Sequence, residues 1–288
     1  MTAVMALLTS LMWGLADFGG GLLTRRMSAL TVVVVSQAIA AAVLGAVVVA
    51  MGGWSAWGPQ LWFAAAAGVV GPVAMLAFYK ALAQGPMGVV SPLASLAVVV
   101  PVGAGLALGE RPGWLQAAGI AIAVAGVVLA GGPELRGAPV QRQTIALTLV
   151  SALGFGAVMA LIEHASTTMA GLFLALFVQR LCNVAVGGAA LYVQVRRGVP
   201  ALPAEHGAGA VVAALPALAF VGLADVAANA TYMLATEYGP VTTAAVLASL
   251  YPVVTAIAAR AVLRERLRAI QAAGAGLALF GTVLLASA

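Results

Sequence analysis

The chain alternates long apolar runs with short polar interruptions. Crossing the hydrocarbon core of a bilayer takes a helix of about 20 apolar residues. Runs of that order recur at 3–23, 28–51, 60–82, 87–108, 113–131, 144–162, 170–195, 210–235, 241–262 and 269–287. The connections are short. The longest, 131–143 and 196–209, are rich in Gly, Pro and charge, and neither could form a soluble catalytic domain. No basic stretch precedes the first run and nine more follow it, so it reads as a first transmembrane helix rather than a cleaved signal peptide. The expected fold is an all-α, multi-pass integral membrane protein of about ten transmembrane helices.

The pattern repeats. Gly85-Pro86 opens the fourth run and Gly239-Pro240 the ninth, and Leu93-Ala94-Ser95-Leu96 returns as Leu247-Ala248-Ser249-Leu250. Glu110-Arg111, Gln116, Gly119 and Gly126 return, after a one-residue shift, as Glu265-Arg266, Gln271, Gly274 and Gly281. This predicts a first repeat over 1–131, a linker over 132–143 and a second repeat over 144–288. Five helices per half is an odd number, so the halves are expected in opposite orientations. Inverted repeats of this kind build many secondary transporters, with the substrate site between the halves near the midplane.

Composition narrows the class. Of 288 residues, 64% are hydrophobic and only 7% charged. Soluble domains are nearer half apolar and a quarter charged, so the bilayer must be the solvent for most of this surface. Thirty-four glycines fit the close approach of membrane helices. The single cysteine, Cys182, excludes an intrachain disulfide and a thiolate metal cluster, and reads as a small buried hydrophobe. A net charge of +5 does not imply nucleic acid, because the basic residues sit in short loops and act as topology determinants. There is no phosphate-binding loop for an ATP-driven pump, no HExxH, no Cys/His cluster and no GxSxG, so neither cofactor nor metal is expected. The expected partners are the lipid bilayer and a small-molecule substrate. The small-residue stripes Gly119 and Gly274-Ala275-Gly276 can serve a homodimer face as readily as packing within the bundle.

Charge within the spans marks candidate chemistry, since each such group needs a partner or a wet cavity. Asp17 in helix 1, Arg180 in helix 7 and Asp225 in helix 8 each lie roughly 10–20 Å from the nearest helix end. Trp13 and Ser10 share the face of Asp17; Gln179, Arg180 and Asn183 form a polar stripe; Asp225, Asn229 and Tyr232 follow at helical spacing. An Arg180–Asp225 ion pair is expected, with Asp17 as the rival partner. Arg180 can hold a carboxylate or phosphate in a fork, and either Asp can bind an amine or carry a coupling proton. The same charges can also serve as a fixed anchor between helices. Tyr79 and Lys80 end helix 3; Tyr79 is counted with the site and Lys80 as an interfacial, snorkelling lysine. Glu163-His164 and Glu237 read as solvated helix ends. Pro92 and Pro252, one in each half, are candidate hinges, and Ser91 and Ser249 candidate hydroxyls.

The chain resembles transporters of the EamA type within the drug/metabolite transporter superfamily. Trp13-Gly14, Gly85-Pro86 with Pro92, and Gly239-Pro240 with Tyr251-Pro252 carry the resemblance, together with the segments Leu108-Gly109-Glu110-Arg111 and Leu263-Arg264-Glu265-Arg266 and the Gln and Gly that follow each. It covers essentially the whole chain. It implies ten helices in two EamA repeats, a central cavity lined by helices 1–4 and 6–9, peripheral helices 5 and 10, and export of amino acids or other metabolites. It also implies cytoplasmic termini. The charges argue the reverse: eleven of the 13 Lys and Arg fall in or beside loops after odd-numbered helices, which places the termini outside by the positive-inside rule. The function expected is secondary active export of a small polar metabolite, such as an amino acid or related zwitterion, across the inner (cytoplasmic) membrane. The alternatives are a multidrug or cation efflux carrier and an intramembrane enzyme.

Overall fold

The computed structural model describes residues 1–98, 100, 113–131, 141–165, 168–202, 207–239, 244, 247, 248, 250–265 and 268–287. These form α1 (Thr2–Thr24), α2 (Ala29–Ala50), α3 (Leu61–Gln84), α4 (Met87–Ala94), α5 (Trp114–Gly131), α6 (Arg142–Glu163), α7 (Met169–Arg196), α8 (Gly207–Tyr238), α9 (Tyr251–Leu263) and α10 (Ala269–Ser287). Helices α1, α2, α3, α6, α7 and α8 are long and apolar enough to cross a membrane, and α4, α5, α9 and α10 contribute shorter apolar stretches. The protein is an all-α integral membrane protein. Glu110, Arg111, Arg136, Pro240, Ser249, Arg266 and parts of the fourth and ninth expected spans lie outside the described residues.

Local chemistry sets several helix ends. Thr168 caps α7, its hydroxyl accepting the N–H of Gly171 at 3.2 Å. Gln271 reaches back from the first turn of α10 to accept the Arg268 N–H at 3.2 Å. Arg264 ends α9 in the left-handed region (φ 55°), the only non-glycine with positive φ among the described residues.

The helices pack through small residues, as expected where lipid removes the hydrophobic drive between them. Gly14 of α1 lies against the Tyr251 carbonyl and Val254 of α9; Gly156 of α6 lies in the same way against the Ala97 carbonyl and Val100. Gly126 of α5 meets the backbone of Ala278 in α10, and Gly281 of α10 meets that of Ala123 in α5. A Cβ at any of these four glycines would collide. Gly126 and Gly281 thus join α5 and α10 to each other, while Gly276 faces open space. The longest helices pair as α1 with α8, α3 with α6 and α2 with α7. Thr9 and Thr231 share a hydroxyl hydrogen bond of 2.9 Å across the α1–α8 contact. Large apolar side chains such as Val73, Leu153, Phe220 and Ile257 are left exposed, a surface suited to lipid.

The two hinge candidates differ in setting. Pro92 lies inside α4, three residues before a 3-10 turn over Ser95–Val98, and the Ser95 hydroxyl donates to the Pro92 carbonyl at 2.7 Å. Pro252 lies within the expected span 241–262, in the first turn of α9. There a missing N–H disrupts no intrahelical bond.

Arg25, Arg26, Arg142, Arg196, Arg197, Arg260, Arg264 and Arg268 sit at or near helix ends on one face, opposite the start of α1, and Lys80 lies about one turn inside the end of α3 on the same side. Lys80 is exposed there. Ser91 is fully buried, with no hydroxyl partner among the described residues.

Candidate functional site: a charged cavity inside the bundle

A cavity of about 220 Å³ opens between α1, α2, α3, α6, α7, α8, the turn after α4 and the first turn of α9. Among the described residues, none of α5 or α10 lines it. Its lining reaches Ile162 near the end of α6, close to the face where α1 begins. Toward the basic face the packed side chains of Leu23, Met27, Leu82, Met87 and Val90 lie beyond it.

Three charges converge here. Asp17 comes from mid-α1, Arg180 from α7 and Asp225 from α8. Of the two pairings expected for Arg180, the structure makes the one with Asp225: Arg180 Nη2 donates to Asp225 Oδ2 at 2.6 Å. Arg180 Nη1 donates to Gln37 Oε1 of α2 at 2.7 Å, and Asn183 Nδ2 donates to the same oxygen at 3.2 Å. With two donors on one oxygen, the amide of Gln37 is fixed in orientation, and so is that of Asn183. The network ties α2, α7 and α8 together beside the cavity. It is not saturated. Arg180 Nε, Asn183 Oδ1 and Gln179 Oε1 are buried and have no partner among the described residues. Each such group costs about 1–3 kcal/mol unless another arrangement satisfies it.

Asp17 differs from Asp225. It is partly exposed to the cavity and makes neither hydrogen bond nor ion pair among the described residues. Trp13, one turn earlier on the same face, is held between two rings: Tyr232 of α8 at 6.0 Å and Tyr251 of α9 at 6.1 Å, the latter edge-on. Tyr79 packs on Gly20, one turn beyond Asp17, where no Cβ would fit. Asn229 also lines the cavity, its amide donating to the Asp225 carbonyl at 2.7 Å.

A model of the EamA-like transporter family matches residues 1–132 and 142–287. The chain belongs to this family. It is therefore a membrane transporter, consistent with the drug/metabolite transporter superfamily. Among 11 matching chains of solved structure, one crystal structure aligns with a TM-score of 0.60 at 18% identity, covering 99% of this chain and 96% of that one. That likeness speaks to the fold alone. No curated protein matches.

In this EamA-like transporter, Trp13, Asp17, Tyr79, Gln179, Arg180, Asn183, Asp225 and Asn229 all line the cavity. Tyr232 does not; it backs Trp13 from behind. The sequence reading overlooked Gln37, whose position inside an apolar run was a usable signal. It named Tyr251 only as part of a family resemblance. Phe78, Phe155 and Met75 carried no signal, since an apolar side chain in an apolar helix does not reveal which way it faces. The His164 ring packs on Phe63 at 5.5 Å and lies outside the cavity lining.

Proposed function

We propose that this transporter is a secondary active carrier of the inner (cytoplasmic) membrane that exports a small polar metabolite, such as an amino acid or related zwitterion, by alternating access. The observation that carries the reading is the cavity itself, which holds both signs of charge and has walls from both halves of the chain. Charge at this depth in a membrane protein marks a substrate or ion path by default.

The two-repeat organisation, 1–131 and 144–288 joined by 132–143 and oppositely oriented, is part of this proposal. It is supported by the way contacts exchange between halves. Under the pairing of α1 with α6 and α3 with α8, the α1–α8 contact becomes α6–α3. Gly14 on Tyr251 and Val254 becomes Gly156 on Ala97 and Val100, and Gly126 exchanges with Gly281. Helix α4 gives way to a 3-10 turn at Ser95, and α9 begins at Tyr251, at matching places in the two halves. Broken helices beside a central site are a recurrent device of such carriers, and Pro92 and Pro252 flank these breaks as hinges. The Arg180–Asp225–Gln37 network holds α2, α7 and α8 in one of the carrier's states.

Counterflow of a labelled metabolite pool in proteoliposomes, with and without a pH gradient, tests the proposal. Accumulation of one compound, abolished in a folded Arg180→Ala variant, is the expected result. No movement of any compound by inserted, folded protein would overturn it and turn attention to lipid turnover by an intramembrane enzyme. One observation favours a second reading, a carrier of organic cations with broad specificity: Asp17 has no ion-pair partner among the described residues.

A further inference from the structure

Resting on the reading of the cavity as a substrate site, we infer that Asp17, which shares the cavity wall with the rings of Trp13, Tyr79 and Tyr251, binds the ammonium group of the substrate, and that recognition rests on this ammonium and an apolar body rather than on a carboxylate.

The charges come first. Asp17, Arg180 and Asp225 are the charged residues lining the cavity among the described residues. Arg180 is already engaged, with Asp225 at 2.6 Å and Gln37 at 2.7 Å. That pair is neutral as a unit. A substrate carboxylate is therefore not needed to meet the charge of Arg180, which Asp225 already meets. Asp17 remains, a carboxyl group lining the cavity with no ion-pair partner among the described residues. A carboxylate in so apolar a setting is costly until a cation meets it.

The surroundings of Asp17 select the kind of cation. Trp13 stands one turn before it and the Tyr79 ring one turn after it, against Gly20. Tyr79 and Tyr251 line the same cavity as Asp17, and the Tyr251 ring meets Trp13 edge-on. Aromatic faces around an ammonium group add cation–π attraction to the ion pair. A bare metal ion would need several oxygen ligands. No group of three or more acidic, His or Cys side chains is assembled among the described residues.

The rest of the substrate is read from the far side. From α6 the cavity takes Phe155 and Met159, and from α3 Met75 and Phe78. Phe155 and Met159 have the same spacing in α6 as Trp13 and Asp17 in α1. The wall that carries a carboxylate in one half is therefore apolar in the other. A molecule with an ammonium at one end and an apolar or aromatic body at the other fits both.

Equilibrium binding to the purified full chain in lipid nanodiscs tests the inference with three probes of one shape: phenethylamine, 3-phenylpropionate and phenylalanine. The wild-type protein is expected to bind phenethylamine at least tenfold more tightly than 3-phenylpropionate, a comparison that needs no variant. Asp17→Asn should weaken phenethylamine at least tenfold, and Trp13→Leu several-fold, with circular dichroism reporting that each variant is folded. Equal binding of acid and amine, or amine binding unchanged in Asp17→Asn, would overturn the inference. So would wild-type protein that binds phenylalanine but not phenethylamine; in that case counterflow of phenylalanine would leave the carrier reading standing. If no probe binds and no metabolite moves in counterflow, both fail together.

Discussion

Glu265 reaches from just beyond α9 to Arg25 just beyond α1, with Oε1 3.2 Å from the guanidinium. Its second oxygen accepts the N–H of Gly88 in the first turn of α4 at 3.4 Å, where the helix dipole favours a carboxylate. Arg25 also reaches the Leu82 carbonyl of α3 at 3.5 Å. Arg264, in its left-handed conformation, is what ends α9 and turns the chain there. One carboxylate thereby gathers the ends of α1, α3, α4 and α9 on the basic face, outside the apolar packing beyond the cavity.

This cluster is expected to hold that face closed. The pair is part-exposed, so it is worth at most about 1 kcal/mol, or roughly a fivefold shift in a two-state equilibrium. Glu265→Gln should raise thiol labelling of a Val90→Cys reporter, made in a Cys182→Ala background, by up to about fivefold. Val90 is 1% exposed, so labelling reports opening rather than surface reactivity. An unchanged labelling rate would show that Leu23, Met27, Leu82 and their neighbours close the face without the ion pair.

The Arg180–Asp225 pair predicts an asymmetric cost. Removing one member of a buried pair strands the other and costs about 3–5 kcal/mol, whereas replacing both by apolar groups is often nearly neutral. Arg180→Ala should therefore lower the thermal midpoint of the purified protein markedly, and Arg180→Met with Asp225→Leu should recover most of the loss. A single variant as stable as wild type would show that the pair does not anchor α7 to α8.

Gly126 and Gly276 form a matched comparison. A Cβ at Gly126 meets the backbone of Ala278, which cannot swing aside, while at Gly276 it meets open space. Gly126→Ala should destabilise by about 1–3 kcal/mol, and Gly276→Ala should be neutral or slightly stabilising by helix propensity. Thermal unfolding followed by tryptophan fluorescence distinguishes them. Equal behaviour would mean that the α5–α10 seam contributes little.

The basic face predicts topology. Nine described Lys and Arg mark it, so the positive-inside rule places it in the cytoplasm and the start of α1 outside. In a Cys182→Ala background, a Trp57→Cys reporter should react with an impermeant thiol reagent in intact cells, and a Val199→Cys reporter, at an exposed position on the basic face, only in inverted vesicles. The opposite pattern would mean that the charge asymmetry does not orient this chain.

How legible all this was differs by feature. The spans were plain because apolar length is a direct consequence of bilayer thickness, and Asp17, Arg180 and Asp225 stood out because charge is rare at that depth. The Arg180–Asp225 pair was legible, since helices 7 and 8 adjoin in sequence, but the geometry that leaves Asp17 outside it was not. Nor was the place of Pro252 in a first turn, which requires a break in the helix that hydrophobicity does not report. Gln37 was visible but its role was not, because it needs a donor from a helix more than 140 residues away in sequence.

The reciprocal seam of α5 and α10 bears on how the chain is made. A ribosome completes α5 long before α10 exists, so Gly119, Ala123 and Gly126 wait in the membrane without the surface that fits them. A chain stalled after α9 would already contain every described residue that lines the cavity, yet it would present an unfilled groove along α5. Insertion of α10 removes it, so a helix of the second half completes the packing of the first.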